Sequence, residues 1–151
     1  MENEHRQSGL FPSKEACLFC RIAKKEAASY MVFEDRLSFA FLDTHPLFPG
    51  HILLIPKTHY SSMGEMPDEI NGTLFKNVKL LGSALEKALD ADGCFIAVND
   101  KVSQSQPHLH IHIVPRRFHD GLKGFFWPRY KYKSEEEIKE VQKRIIDALD
   151  R

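Results

Sequence analysis

Histidine alternates with aliphatic residues through His108-Leu109-His110-Ile111-His112-Ile113-Val114. In a strand successive side chains leave on opposite faces, so Leu109, Ile111 and Ile113 are expected in the core while His108, His110 and His112 form a row on the other face. A single histidine on a half-exposed strand is ordinarily a solvated or hydrogen-bonded bystander. Three in strict alternation are harder to explain that way, because their protonated forms would repel along one edge and Lys, Glu or Thr would serve solubility as well. Two chemistries suit such a row. Neutral imidazoles ligate zinc, copper or iron, which makes a three-histidine metal centre one reading. The other is nucleophilic catalysis, in which one imidazole attacks phosphorus while its neighbours hold and polarise the phosphate.

A second group is Cys17-Leu18-Phe19-Cys20, two thiols at a spacing that suits a metal clip or a redox pair. With 3 cysteines in the chain, an odd number, a secreted disulfide frame is disfavoured and a cytoplasmic location is expected. A thioredoxin-like role fits poorly, because the pair does not follow a strand of a βαβ unit. Cys94 reads as a small buried residue. Between Arg116 and Lys133, the cations Arg116, Arg117, Lys123, Arg129, Lys131 and Lys133 stand among Phe118, Phe125, Phe126, Trp127, Tyr130 and Tyr132. Single-strand nucleic-acid surfaces use such mixtures, and so do subunit interfaces. The interface is the expected use here.

Taken together, the histidine strand, Cys17-Leu18-Phe19-Cys20-Arg21-Ile22, Ala40-Phe41-Leu42-Asp43, Pro49 to His59 and Asn99-Asp100 resemble the histidine-triad (HIT) family of nucleotide hydrolases and transferases, in its zinc-containing bacterial-type form. The family signature is histidine-φ-histidine-φ-histidine-φ-φ with φ apolar, and His108 to Val114 fits it at every position. The likeness runs from Cys17 to Arg117.

The resemblance implies that His110 is the nucleophile, forming a covalent nucleotidyl-histidine at an α-phosphate, with its ring held at the other nitrogen by a backbone carbonyl. His112 would hydrogen-bond the phosphate or scissile oxygen, and His51 would be a further histidine near the site. Ser103-Gln104-Ser105-Gln106-Pro107 is similar to the family's Gly-Gln-Ser/Thr loop, so Ser105 and the backbone of Gln106 would hold the α-phosphate with Gln104 and Asn99 beside them. Ser103 stands where the family has glycine, and the loop is about two residues shorter than the pattern. Asp43 would take the ribose hydroxyls, and Phe19, Ile22 and Phe41 would wall the base pocket. Zinc is implied at Cys17, Cys20, His59 and His108, a structural site, with no organic cofactor. The family further implies a homodimer, with Phe125-Phe126-Trp127 expected at the interface. Implied substrates are small purine nucleotides: adenosine phosphoramidates, aminoacyl adenylates or diadenosine polyphosphates. Two other readings stay open, a nucleotide-binding or interaction module without turnover and the three-histidine metalloenzyme.

These groups need a scaffold, and 151 residues suffice for one cored domain without disulfides. Lys plus Arg and Asp plus Glu each total 21, so the chain as a whole carries no polyanion-binding charge and no nucleic-acid partner is expected. No membrane-length apolar run or signal-type apolar segment is present, and no membrane partner is expected. Residues 1–14 are polar without periodicity and are expected to be disordered, leaving 15–151 as a single domain. A short helical turn is expected over Cys17 to Lys24, then strands over Tyr30–Glu34, Ser38–Asp43 and His51–Lys57. Ile70, Leu74, Val78, Leu81 and Leu85, widened by Phe75 and Leu89, predict a helix with Pro67 in its first turn and Gly93 at its exit. Strands over Cys94–Val98 and His108–Val114 follow. Ser134 and Glu137 form a capping box opening a last helix with Ile138, Val141, Ile145 and Leu149 on one face. The expectation is α+β, a five-stranded antiparallel sheet with two main helices packed on one side.

Overall fold

The computed structural model describes residues 17–122 and 131–149. The expected disordered extension and the Phe125 to Trp127 segment lie outside them. Two compact units divide between Asp120 and Gly121.

The first unit is built on one antiparallel sheet of five strands in the order β1-β2-β3-β5-β4, where β1 is Met31–Glu34, β2 Ser38–Leu42, β3 Ile52–Pro56, β4 Gly93–Ala97 and β5 Ile111–Arg116. Helix α1 (Leu18–Ala23) precedes the sheet, and α2 (Asp68–Leu89) lies between β3 and β4. Leu74, Val78 and Leu81 of α2 bury against Ala40, Ile52, Leu54, Leu109, Ile111 and Ile113. The opposite face is also covered: Cys17, Phe19 and Ile22 pack on Phe39, Phe41, Leu53 and Ile55. The expected one-sided packing is thereby corrected. The reason is visible in β2 and β3, where both alternating sets are apolar, so each face needs a cover.

Three local expectations shift. The last strand of the sheet starts at Ile111 rather than His108, because the preceding backbone bonds elsewhere: His108 N–H donates to Gln106 O at 2.8 Å and Leu109 N–H to Tyr60 O at 2.7 Å. It then runs on through Pro115, which costs no ladder bond to β3 because β3 pairs only with Ile111 to Ile113. Helix α2 ends on Asp90, in the left-handed region at φ 52, a conformation Asp tolerates; Gly93 instead opens β4. Phe75 is exposed rather than part of the stripe, and Asn77 is buried in its place. Asn77 donates to Asp35 Oδ2 at 2.6 Å and to Ser38 Oγ at 2.9 Å, and Asp35 Oδ1 accepts the main-chain N–H groups of Leu37 and Ser38. One helix thus fastens the β1–β2 turn.

Gly50 leads the chain into β3. Its φ is +94, and a Cβ there would lie 2.2 Å from Leu89 Cδ1 and 3.3 Å from Pro115 Cγ. Only glycine satisfies both conditions.

The second unit contains α3 (Glu135–Leu149). Ser134 Oγ accepts the N–H of Glu137 at 3.3 Å, and the Glu137 carboxylate reaches back to Lys133 N–H at 2.6 Å. Among the described residues no helix is long and apolar enough to cross a membrane.

Candidate active site and metal centre

The chain between β3 and β5 determines where each imidazole points. His108 is fully buried, with Nε2 at 2.9 Å from the carbonyl oxygen of Pro56. A carbonyl can only accept, so Nε2 carries the proton and Nδ1 keeps a lone pair. That lone pair faces sulfur, with Cys17 Sγ at 3.4 Å and Cys20 Sγ at 3.6 Å. Nδ1 of His59 lies 3.2 Å from Cys20 Sγ. The four ligand atoms of Cys17, Cys20, His59 and His108 all lie within 4.8 Å of one another. Two thiols and two imidazoles at that spacing could hold a metal ion, being the donor types of closed structural zinc sites, and the Pro56 carbonyl fixes the His108 ring from behind. Burial pushes His108 down to about 4, so the ring is neutral at pH 7.

Two residues on, the same logic gives the opposite outcome. Nδ1 of His110 lies 2.7 Å from the carbonyl oxygen of His108 and donates to it, which leaves the lone pair on Nε2. The His110 ring is buried, held edge-on by Phe19 at 5.3 Å between centroids. Burial lowers its pKa, opposed by the His108 carbonyl and by Asp43, so the ring is neutral and nucleophilic near pH 7.

His112 stands next along, 4.9 Å from His110 between ring centroids. Its Nδ1 lies 3.0 Å from Nε2 of His51, and its own Nε2 is a buried polar atom with no hydrogen-bond partner among the described residues. An unsatisfied buried polar atom costs about 1–3 kcal/mol, a penalty that an arriving hydrogen-bond partner would remove. Burial, then the neighbouring His110 and His51, push His112 down to about 4. Asp43 Oδ2 approaches His51 Nδ1 at 3.8 Å. The contact is not a charged pair, since burial lowers the pKa of His51 and Leu47 N–H donates to the same nitrogen at 3.2 Å.

The predicted base-pocket residues divide. Ile22 and Phe41 line a cleft of about 370 Å³ together with Leu18, Tyr30, Leu42 and Thr44. Phe19 is buried behind it, against Phe41, His108 and His110. In the loop before the triad, Asn99 and Ser105 are exposed. Gln104 donates its amide to Ser61 O at 2.9 Å, and Asp100 Oδ1 accepts Met63 N–H at 2.8 Å. The loop is therefore tied to the segment carrying His59, a link that the sequence reading missed. Gln106 contributes its carbonyl to His108 N–H. Ser103 sits at φ +57, the region where glycine is strain-free. Arg116 pairs with Asp120, and Arg117 donates to the carbonyl of Leu89.

His110 belongs to neither group of candidate metal ligands among the described residues; the second group is Asp43, His51 and His112. The triad therefore does not converge on one centre.

The sequence profile of the HIT domain matches residues 24–119. The chain belongs to the HIT domain family. An uncharacterized HIT-like protein of Saccharolobus solfataricus is 38% identical over 136 residues, 88% of this chain and 97% of that one. The adenosine 5'-monophosphoramidase of Saccharomyces cerevisiae is 36% identical, across 75% of this chain and 70% of its own length. Among solved structures, a zinc-bound histidine triad family protein from Mycobacterium smegmatis superposes with a TM-score of 0.68 at 31% identity, covering 91% of this chain and 98% of that one. The α+β architecture with a five-stranded antiparallel sheet is thus a HIT fold.

Proposed function

We propose that this HIT protein cleaves or transfers a nucleoside monophosphate group from a small purine nucleotide through a covalent intermediate on His110. One observation carries the reading: the free lone pair on His110 Nε2 stands beside the buried Nε2 of His112, which has no hydrogen-bond partner among the described residues, a nucleophile next to a group able to donate. The Nε2 atom of His110 forms a bond to the α-phosphorus as the bond to the leaving group breaks, the electron pair departing with the leaving group, which takes up a proton from solvent. His112 donates to the oxygen on which charge develops. His110 then carries positive charge, which its Nδ1–H shares with the His108 carbonyl. Water attacks next, its oxygen bonding to phosphorus and its proton passing to solvent, while the phosphorus–nitrogen bond breaks and the lone pair returns to His110.

In this reading the cleft at Ile22 and Phe41 takes the base, Asp43 the ribose hydroxyls, and Ser105 with the Gln106 backbone the phosphate. Adenosine phosphoramidates are the first substrates to try, given the yeast relative's activity. Zinc is the proposed metal at Cys17, Cys20, His59 and His108, supported by the donor set and by the zinc-bound relative. Bound there, it would supply structural cross-linking of the N-terminal segment to the sheet. A metal site of thiol and imidazole ligands fits a cytoplasmic setting. A homodimer is supported by β4, an edge strand that pairs only with β5 among the described residues and carries the exposed Ile96.

The test is rapid acid quench of the protein with adenosine 5'-phosphoramidate, followed by peptide mass analysis. The expected result is a single added adenosine monophosphate on His110. Full turnover by a His110→Ala protein would refute the reading.

A further inference from the structure

The turn from Asp43 to His51 touches the site at both ends. Asp43 Oδ1 accepts His45 N–H at 2.8 Å, and Leu47 N–H donates to His51 Nδ1 at 3.2 Å. A main-chain N–H has no other role open to it, so His51 Nδ1 is the unprotonated nitrogen and the proton of the neutral ring sits on Nε2. That proton points at His112 Nδ1, 3.0 Å away, which must therefore accept. The proton of His112 is left on Nε2, the buried atom without a partner among the described residues. Three donors in a row thus share one direction, and a backbone amide that cannot reverse starts the row.

A competitor stands beside it. Asp43 Oδ2, 3.8 Å from His51 Nδ1, is an acceptor only, and it favours a proton on that same nitrogen. With the proton there, His51 would offer a lone pair to His112, the His112 proton would move to Nδ1, and Nε2 would face an incoming phosphate with a lone pair of its own. Acceptor against acceptor repels, so that arrangement is unproductive.

We propose that the main-chain N–H of Leu47 is a positioning group for the reaction, holding the proton of His112 on Nε2 through His51, and that ribose hydroxyls bound to Asp43 remove the competing acceptor. Occupation of the ribose site is thereby linked to the readiness of the donor at the phosphate. The inference rests on the reading that Asp43 meets ribose and His112 meets phosphate.

The test begins without turnover. Long-range proton–nitrogen correlation spectra of the histidine-labelled, metal-loaded protein near neutral pH report which ring nitrogen carries each proton. His51 and His112 should both be protonated on Nε2, and adenosine should reduce any minor form. Leu47→Pro removes the N–H together with the exposed leucine side chain; it should shift His112 toward Nδ1–H and lower kcat about ten- to a hundredfold, with KM within about threefold. If that variant does not fold, His51→Leu should give the same split, whereas His51→Gln, whose amide still donates toward His112, should keep kcat well above the His51→Leu value. A wild-type His112 protonated on Nδ1, or a folded Leu47→Pro protein with His112 and kcat unchanged, overturns the proposal; equal kcat for His51→Gln and His51→Leu does so as well. Spectra as expected in a protein that hydrolyses no nucleotide would refute the functional reading and leave the tautomer assignment standing.

Discussion

The carbonyl oxygen of His108 lies 2.7 Å from Nδ1 of His110, so a residue of the proposed metal cluster orients the proposed nucleophile with its own backbone. The cluster also reaches the proposed phosphate loop, through the segment in which His59 is followed by Ser61, the acceptor for Gln104. Loss of metal is therefore expected to be felt in two parts of the site.

The double substitution Cys17→Ser with Cys20→Ser should remove bound zinc, lower Tm and weaken activity together. Metal analysis beside thermal melts checks it. Retention of stoichiometric zinc with an unchanged melt would remove the assignment.

His110→Ala should abolish formation of the nucleotidyl intermediate while adenosine monophosphate still binds, since Asp43 and the Ile22–Phe41 cleft are untouched. His112→Ala should slow turnover by about 10²–10³-fold, the usual effect of losing one transition-state donor. The intermediate should still form in that variant. Single-turnover quench separates the two cases.

Backbone conformation predicts opposite signs at two positions. Gly50→Ala should destabilise by about 1–3 kcal/mol, because a methyl at φ +94 meets Leu89 and Pro115. Ser103→Gly, at φ +57, should be neutral or stabilising by up to about 1 kcal/mol. Urea unfolding of both variants is the measurement, and equal effects would contradict the geometry.

Stability should fall with acid in a defined window. The folded state pushes His112 from 6.5 down to about 4, so between those values the unfolded chain binds more protons than the folded one. The contribution is fully present above about pH 6.5 and disappears as pH falls toward 4. Melts across this range should show the slope, and His112→Gln should reduce it.

Much of this was legible in the sequence because it is local. The alternation from His108 to Ile113 assigns faces by backbone geometry alone, and Leu109, Ile111 and Ile113 do bury in the core. The capping serine of α3 and the apolar stripe of Leu74, Val78 and Leu81 follow from the same kind of periodicity. Likeness to a known family supplied the metal set, which no spacing rule would have joined across the residues separating Cys20 from His108.

Other features exist only once distant segments meet. Asn77 breaks an apolar stripe in the sequence, and only the packed fold shows it serving Asp35 and Ser38. Phe19, expected as a pocket wall, also braces His110, because α1 lies on the sheet face that carries that ring. The register that sets Leu53 opposite His112 brings His51, two residues earlier, within 3.0 Å of His112 Nδ1. Residue type and period determined which side chains share a face. Which nitrogen of each imidazole holds its proton was decided by the carbonyls of Pro56 and His108 and the amide of Leu47, since a backbone group's role as donor or acceptor acts only through the contact that tertiary structure makes.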